Sequence, residues 1–391
     1  MAATSIDRVL DEAIASSTAP GIVALAADES GIFYQGARGR VAPGAAAPVA
    51  LDSVFRIASM TKAITSAAAM KLVEQGKLGL EQPMAEIAPE LAEVVILLGF
   101  DGDGDGTPRT RKPRRAITLR HLLTHTSGFS YDLFNKDVAR YMEHEGLPSI
   151  ATCMNRSLRA PLLFEPGERW EYGIGIDWAG KLVEAASGRK LERYLQDEFF
   201  HPLGMKDTSF VLRDDMSRRL VAATQRQPDG AIARIDFEFP QDADFHMGGG
   251  GLYSTGPDYL RFTRMLLGGG ALDRVRVLAP ETVKRMGENA IGDIAVPPLA
   301  SDNPAMAIPY EFWPGQIKRW GLAYMLNTED VAGGRAAGSC TWAGVHNTFF
   351  WIDPARRRTA VLMMQILPAN DAKVIATLES FERAVYATSP R

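Results

Sequence analysis

The sequence predicts an α+β fold, on three observations. Strand-like apolar runs gather at the two ends of the 391-residue chain, helical periodicity fills its middle, and the length exceeds what one hydrophobic core usually organises. Residues 1–85 and 315–391 are therefore expected to combine into one sheet-bearing domain. A mainly helical domain is expected over 86–314, with a cleft between the two.

Each element has its own signal. Ile6, Val9, Leu10, Ala13 and Ile14 recur at helical spacing, giving an amphipathic helix over about 5–16. Gly21 to Ala27 and Ile32 to Gly36 read as strands around the turn Asp28-Glu29-Ser30-Gly31, a hairpin signal. A short strand at Val54 to Ile57 precedes an alanine-rich helix that Gly76 stops. Thr118 to Leu123 starts a short helix, Gly175 to Ala186 a longer one, and Asp258 to Leu267 another. Phe199 to Phe210 reads as a loop. Strands return at Trp320 to Leu326, Phe349 to Ile352 and Thr359 to Ile366, and Lys373 to Tyr386 closes the chain as an amphipathic helix.

Composition excludes several functions. Hydrophobic residues make up 46% and charged residues 23%, with a net charge of −4, which gives nucleic acid no footing. The basic run Arg109-Thr110-Arg111-Lys112-Pro113-Arg114-Arg115 reads as a solvated loop. Asp101 to Gly106 matches half of a calcium-loop pattern, but Lys112 stands where a bidentate glutamate belongs, so an acidic surface loop is expected. His121 and His125, four residues apart, lack a third ligand and read as structural. No metal or cofactor is expected. Cys153 and Cys340 form no disulfide framework and suit a reduced compartment. No apolar run reaches the length of a membrane span, and Met1 to Arg8 does not read as a secretory signal, so the expected location is the cytoplasm.

One stretch carries chemistry. In Ser59-Met60-Thr61-Lys62, serine opens the alanine-rich helix and lysine sits one turn on, so an amine faces a hydroxyl at a helix N-terminus. The helix dipole there favours the negative charge of an alkoxide. A second S-x-x-K, Ser187 to Lys190, closes a helix instead, because Gly188 ends it. No serine has glycine on both sides, which excludes the nucleophile elbow of an α/β-hydrolase. The run Gly248 to Gly251 lacks the Gly-Lys-Ser/Thr of a phosphate loop.

Further pieces join the Ser59 motif in a fixed order. They are Leu122-Leu123-Thr124-His125-Thr126-Ser127-Gly128, Pro166-Gly167-Glu168-Arg169-Trp170-Glu171-Tyr172, Pro202-Leu203-Gly204-Met205-Lys206-Asp207-Thr208, Gly250-Gly251-Leu252-Tyr253-Ser254-Thr255 and Trp342-Ala343-Gly344-Val345. Together they resemble the serine β-lactamase and penicillin-binding-protein superfamily, in its class C-like branch and the family VIII carboxylesterases. The resemblance implies a β-lactamase/transpeptidase-like fold, an antiparallel sheet flanked by helices with an inserted helical domain. It implies Ser59 as nucleophile, Lys62 as its neighbour and Tyr172 as base or proton relay. Amine and phenol both have reference pKa values of roughly 10, so either needs an electrostatic neighbour to act as a base near neutral pH. The resemblance also implies an oxyanion hole formed by the backbone N–H groups of Ser59 and Val345.

Two departures from the β-lactamase pattern shape the expected substrate. Ile174 replaces the asparagine two residues after the tyrosine, and Trp342-Ala343-Gly344 replaces the Lys-Thr-Gly strand whose lysine holds a substrate carboxylate. An amide and a cation are lost and apolar surface is gained, which suits a neutral ester. Trp342, Gly344, Tyr131, His346 and Ile174 are the expected substrate-binding residues. The expected activity is hydrolysis of short- to medium-chain carboxylic esters through an acyl-enzyme, with small-molecule esters as partners and β-lactams as secondary substrates. A β-lactamase or D,D-peptidase is the alternative, and an inactive binding module is disfavoured because Ser59, Lys62 and Tyr172 are all present.

Overall fold

A computed structural model describes residues 4–102 and 106–388. Its centre is a seven-stranded antiparallel sheet in the order Lys318–Trp320, Met325–Asn327, Cys340–Gly344, Thr348–Asp353, Arg358–Met363, Gly21–Asp28, Gly31–Gly39. Strands from both ends of the chain thus form one sheet. Gly21–Asp28 is buried along its whole length because it lies inside the sheet with both faces covered. Its side chains alternate between two cores: Ile22, Ala24 and Ala26 meet Trp351 and Phe381, while Val23, Leu25 and Ala27 face the larger core. The helices Ser5–Ala15 and Ala372–Ala387 pack together over the first face. Thr4 and Asp7 close a capping box at the start of the former, and Ile6, Leu10 and Ala13 are its buried stripe.

The helix Gly256–Leu267 covers the opposite face of the sheet. The helix Thr61–Glu74 has residues buried on every side from Thr61 to Met70. The run of Ala63, Ala67, Ala68 and Ala69 fits this setting, since small side chains let neighbours approach closely. One neighbour is the helix Gly175–Ser187, which ends at Gly188 with φ of 68°.

Several elements differ from the sequence expectation. Val54–Arg56 pairs with Tyr253–Thr255 in a separate ribbon and stays outside the main sheet. Trp320 to Leu326 is two strands joined by a turn in which the Gly321 N–H donates to the Tyr324 carbonyl at 2.8 Å. Phe199 to Leu203 is helical, continuing Leu191–Leu195 through a wider turn, and the helix ends only at Gly204. The last strand breaks after Met363, and Ile366–Leu367 pairs in parallel with Thr224–Arg226. The basic run begins as strand Pro108–Arg111 against Ile96–Phe100, so its first cations are held on a hairpin and not in a free loop. Residues 103–105 of the acidic turn lie outside the described residues. No helix among the described residues is long and apolar enough to cross a membrane.

Candidate active site

Ser59 does not cap its helix. It sits in a tight turn, Ala58–Met60, directly before Thr61–Glu74, and that turn makes no side-chain cap. Ala58, just before it, holds φ of 44°, a region that costs a residue with a Cβ. The hydroxyl is therefore free for chemistry. Tyr172 Oη donates to Ser59 Oγ at 2.6 Å, and Lys62 Nζ lies 3.1 Å from the same oxygen. The spacing in Ser59-Met60-Thr61-Lys62 survives because the turn runs straight into the helix.

Lys62 is fully buried, and its partners explain how. Its Nζ donates to the Gly249 carbonyl at 2.6 Å and to Tyr131 Oη at 2.9 Å. Tyr131 spends its own hydrogen on Asp177 Oδ2 at 3.0 Å, and Asp177 Oδ1 accepts the Gly249 N–H at 2.8 Å. The four residues close a ring of hydrogen bonds. Two donors of Lys62 are thereby committed, and its remaining position faces Ser59 as a third N–H or, in the neutral amine, as a lone pair. Burial pushes the Asp177 carboxyl above its ordinary range while Lys62 pulls it back. Burial, and then Asp177, push the Tyr131 phenol well up, which keeps it a neutral donor. A Cβ on Gly249 would collide with Asp177 and Tyr131 Oη, so only glycine lets its backbone pass between them.

Tyr172 stands on an aromatic platform. Its ring lies 4.9 Å from that of His125, which in turn meets Trp170 and Trp320 at 5.7 and 5.1 Å. His125 accepts the Gly173 N–H through Nδ1, and burial followed by the Lys62 charge lowers its basicity, so the ring stays neutral. His121 uses its Nδ1 to accept the Thr118 N–H. The two histidines serve separate turns.

In front of Ser59 opens a cavity of about 480 Å³. Trp342, Gly344 and Val345 line it, and Trp342 also donates Nε1–H to Tyr172 Oη at 3.3 Å. Gly344 is the hinge of the arrangement: a Cβ there would overlap the Ile57 carbonyl and Thr348 Oγ1, so the strand end can lie flat against the Ser59 turn. The Val345 N–H makes no hydrogen bond among the described residues. The far wall is an irregular proline-bearing segment, 297–312, with Leu299, Ile308, Pro309 and Phe312 facing inward.

Three expected pocket residues lie elsewhere. Tyr131 is buried in the ring behind Lys62. Ile174 packs in the core at the start of Gly175–Ser187, where its side chain is shielded from the cavity. His346 points away and packs against Phe237, with both ring nitrogens unpartnered; burial holds its pKa down at about 3. The neighbour of Gly344 and Val345 along the strand need not share their face. The sequence reading missed Asp177 and Gly249. Asp177 left a signal, a carboxylate set between Ile176 and Trp178 on an otherwise apolar helix. Among the described residues no group of three or more metal-ligating side chains occurs.

A family model described as Beta-lactamase matches residues 6–382. The chain belongs to the β-lactamase family. Among its relatives in this β-lactamase family, lovastatin esterase of Penicillium rubens is 33% identical, covering 97% of this chain and 98% of its own. Monacolin J acid methylbutanoyltransferase of Aspergillus terreus is 35% identical over 98% of this chain and 95% of its own. A mutant of simvastatin synthase from Aspergillus terreus superposes with a TM-score of 0.84 at 33% identity, covering 98% and 96% of the two chains. The expected superfamily and the β-lactamase/transpeptidase-like fold are borne out. The expected activity is met at a coarser level: the chain is an enzyme of this β-lactamase-like superfamily whose relatives are esterases and acyltransferases.

Proposed function

We propose that this protein is a serine carboxylesterase that hydrolyses short- to medium-chain esters through an acyl-enzyme on Ser59. The observation that carries the reading is Ser59 Oγ held between Tyr172 Oη and Lys62 Nζ at the mouth of an apolar cavity. Ser59 Oγ attacks the ester carbonyl carbon and its proton passes to the Tyr172–Lys62 pair. An ammonium at Lys62, 4.7 Å from the centre of the Tyr172 ring, favours negative charge on the phenol oxygen, and the Trp342 N–H assists. The N–H groups of Ser59 and Val345 receive the oxyanion. The carbon–oxygen bond of the ester breaks and the alcohol departs with the proton. Water then repeats the sequence on the acyl-enzyme, releasing the acid and restoring Ser59. Asp177 acts as a positioning residue through Tyr131 and Gly249.

A second reading, transfer of the acyl group to an alcohol in place of water, is favoured by two observations. Several relatives carry transferase names, and the cavity walls are apolar enough to hold an organic acceptor over the acyl-enzyme. A β-lactamase is disfavoured, because Ile174 and Trp342 supply neither the amide nor the cation of that chemistry. The test is turnover of p-nitrophenyl butyrate beside a chromogenic cephalosporin, with and without added alcohol, for the wild type and Ser59→Ala. Fast ester turnover lost in Ser59→Ala supports the esterase. New ester formed with the alcohol supports the transferase. Cephalosporin turnover exceeding ester turnover overturns both.

A further inference from the structure

The cavity in front of Ser59 has a charge pattern that ester hydrolysis alone does not require, and its interpretation rests on the esterase reading. Glu171 and Asp302 line it, and no lysine, arginine or histidine does so among the described residues. Asp302 is already engaged, since its Oδ2 accepts the Lys136 N–H at 3.0 Å. Glu171 is different. It is half-buried beside Tyr172, and its Oε1 accepts the hydroxyl of Ser130, also in the cavity wall, at 2.8 Å. Ser130 lies 3.4 Å from the Tyr172 carbonyl oxygen as well, so the pair is fixed to the segment that carries Tyr172. Glu171 Oε2 makes no hydrogen bond among the described residues. The neighbouring cation, Arg169, stacks on the Phe164 ring at 4.3 Å and does not line the cavity.

A carboxylate with no salt bridge, set in a largely apolar wall, has two consequences. It repels a second carboxylate, and it binds an N–H or O–H donor more strongly than it would in open water. We propose that Glu171, held by Ser130, selects esters that carry a hydrogen-bond donor away from the scissile carbonyl, an ammonium group above all, and turns away esters that carry a carboxylate. The preference is opposite in sign to that of a pocket built on a lysine. A hydroxyl is the intermediate case, with the same donor geometry and no charge.

Two matched substrate series test this, one for each end of the ester. The acyl series is p-nitrophenyl hexanoate, 6-hydroxyhexanoate, 6-aminohexanoate and monoadipate. The alcohol series is the butyrates of hexanol, 6-aminohexanol and 6-hydroxyhexanoic acid, followed by pH-stat. In at least one series the wild type should prefer the ammonium ester to the carboxylate ester by about tenfold or more in kcat/KM. The ratio should shrink several-fold in Glu171→Gln and in Ser130→Ala. Because a ratio of two substrates on one protein is read, a general loss of activity in either variant does not mimic the result. No discrimination in either series of the wild type, or a ratio unchanged in Glu171→Gln, overturns the proposal. Failure of the wild type to hydrolyse p-nitrophenyl hexanoate overturns the esterase reading instead, so the two failures are distinct.

Discussion

Behind Ser59, Lys62, Tyr131, Asp177 and Gly249 satisfy one another in a closed ring, all of it buried. In front of Ser59, a cavity of about 480 Å³ is walled largely by proline, leucine, isoleucine and aromatic side chains, with Glu171, Asp302 and neutral serine and asparagine groups between them. The first region has one arrangement available to it, because removing any member strands a buried donor, acceptor or charge. The second is shaped by contact surfaces, and apart from Glu171 and Asp302 a change there alters volume more than charge. The contrast separates what makes the bond-breaking step from what chooses the molecule to be broken.

The contrast predicts a graded set of effects. Tyr172→Phe and Lys62→Ala should each lower kcat by about 10³-fold, in the range for lost proton transfer, while circular dichroism stays native. A fall of less than tenfold in both would remove the pair from the chemistry. Asp177→Asn should lower kcat by about 10- to 100-fold with KM nearly constant, since it misplaces Lys62 without touching substrate. Equal loss in KM would place Asp177 on the cavity side instead. Phe312→Ala, in the far wall, should raise KM for a hexanoate ester several-fold and leave kcat nearly unchanged.

The smallest effect concerns stability. Burial raises the Asp177 carboxyl above 3.8, so the native state holds this proton more tightly than the unfolded chain. Stability from this group is present at low pH and is lost as pH rises from about 4 through the raised value. Thermal melts should therefore show Asp177→Asn gaining on the wild type as pH rises across that window. A constant difference between the two proteins would mean that Asp177 titrates as an ordinary carboxylate.

Residues that lie close in the chain were the legible ones. Ser59 and Lys62 share one turn, so spacing alone placed them together, and the glycines at 76 and 188 marked the helix ends. Tyr172 and Trp342 to Val345 were legible through the family resemblance and not through any local period. The ring was not, since Lys62, Tyr131, Asp177 and Gly249 come from four separate segments and no local period connects them. Tyr131 was expected in the wall and stands behind the lysine for that reason. The segment 297–312 has neither helical nor strand periodicity. Its shape comes from long-range ties such as Asp302 N–H to the Phe134 carbonyl at 2.9 Å and Ile308 N–H to the Ala369 carbonyl at 3.0 Å.

The fit of Gly344 against the Ile57 carbonyl also bears on how such a catalyst changes over generations. With no room for even a methyl group between the strand end and the Ser59 turn, substitutions at that seam part the N–H groups of Ser59 and Val345, the proposed oxyanion hole. Substitutions on the opposite bank leave that seam intact, since residues 297–312 belong to no helix and Ile308 is exposed. Diversifying that segment while leaving 56–62 and 341–348 untouched is the economical way to redirect the enzyme toward a new substrate.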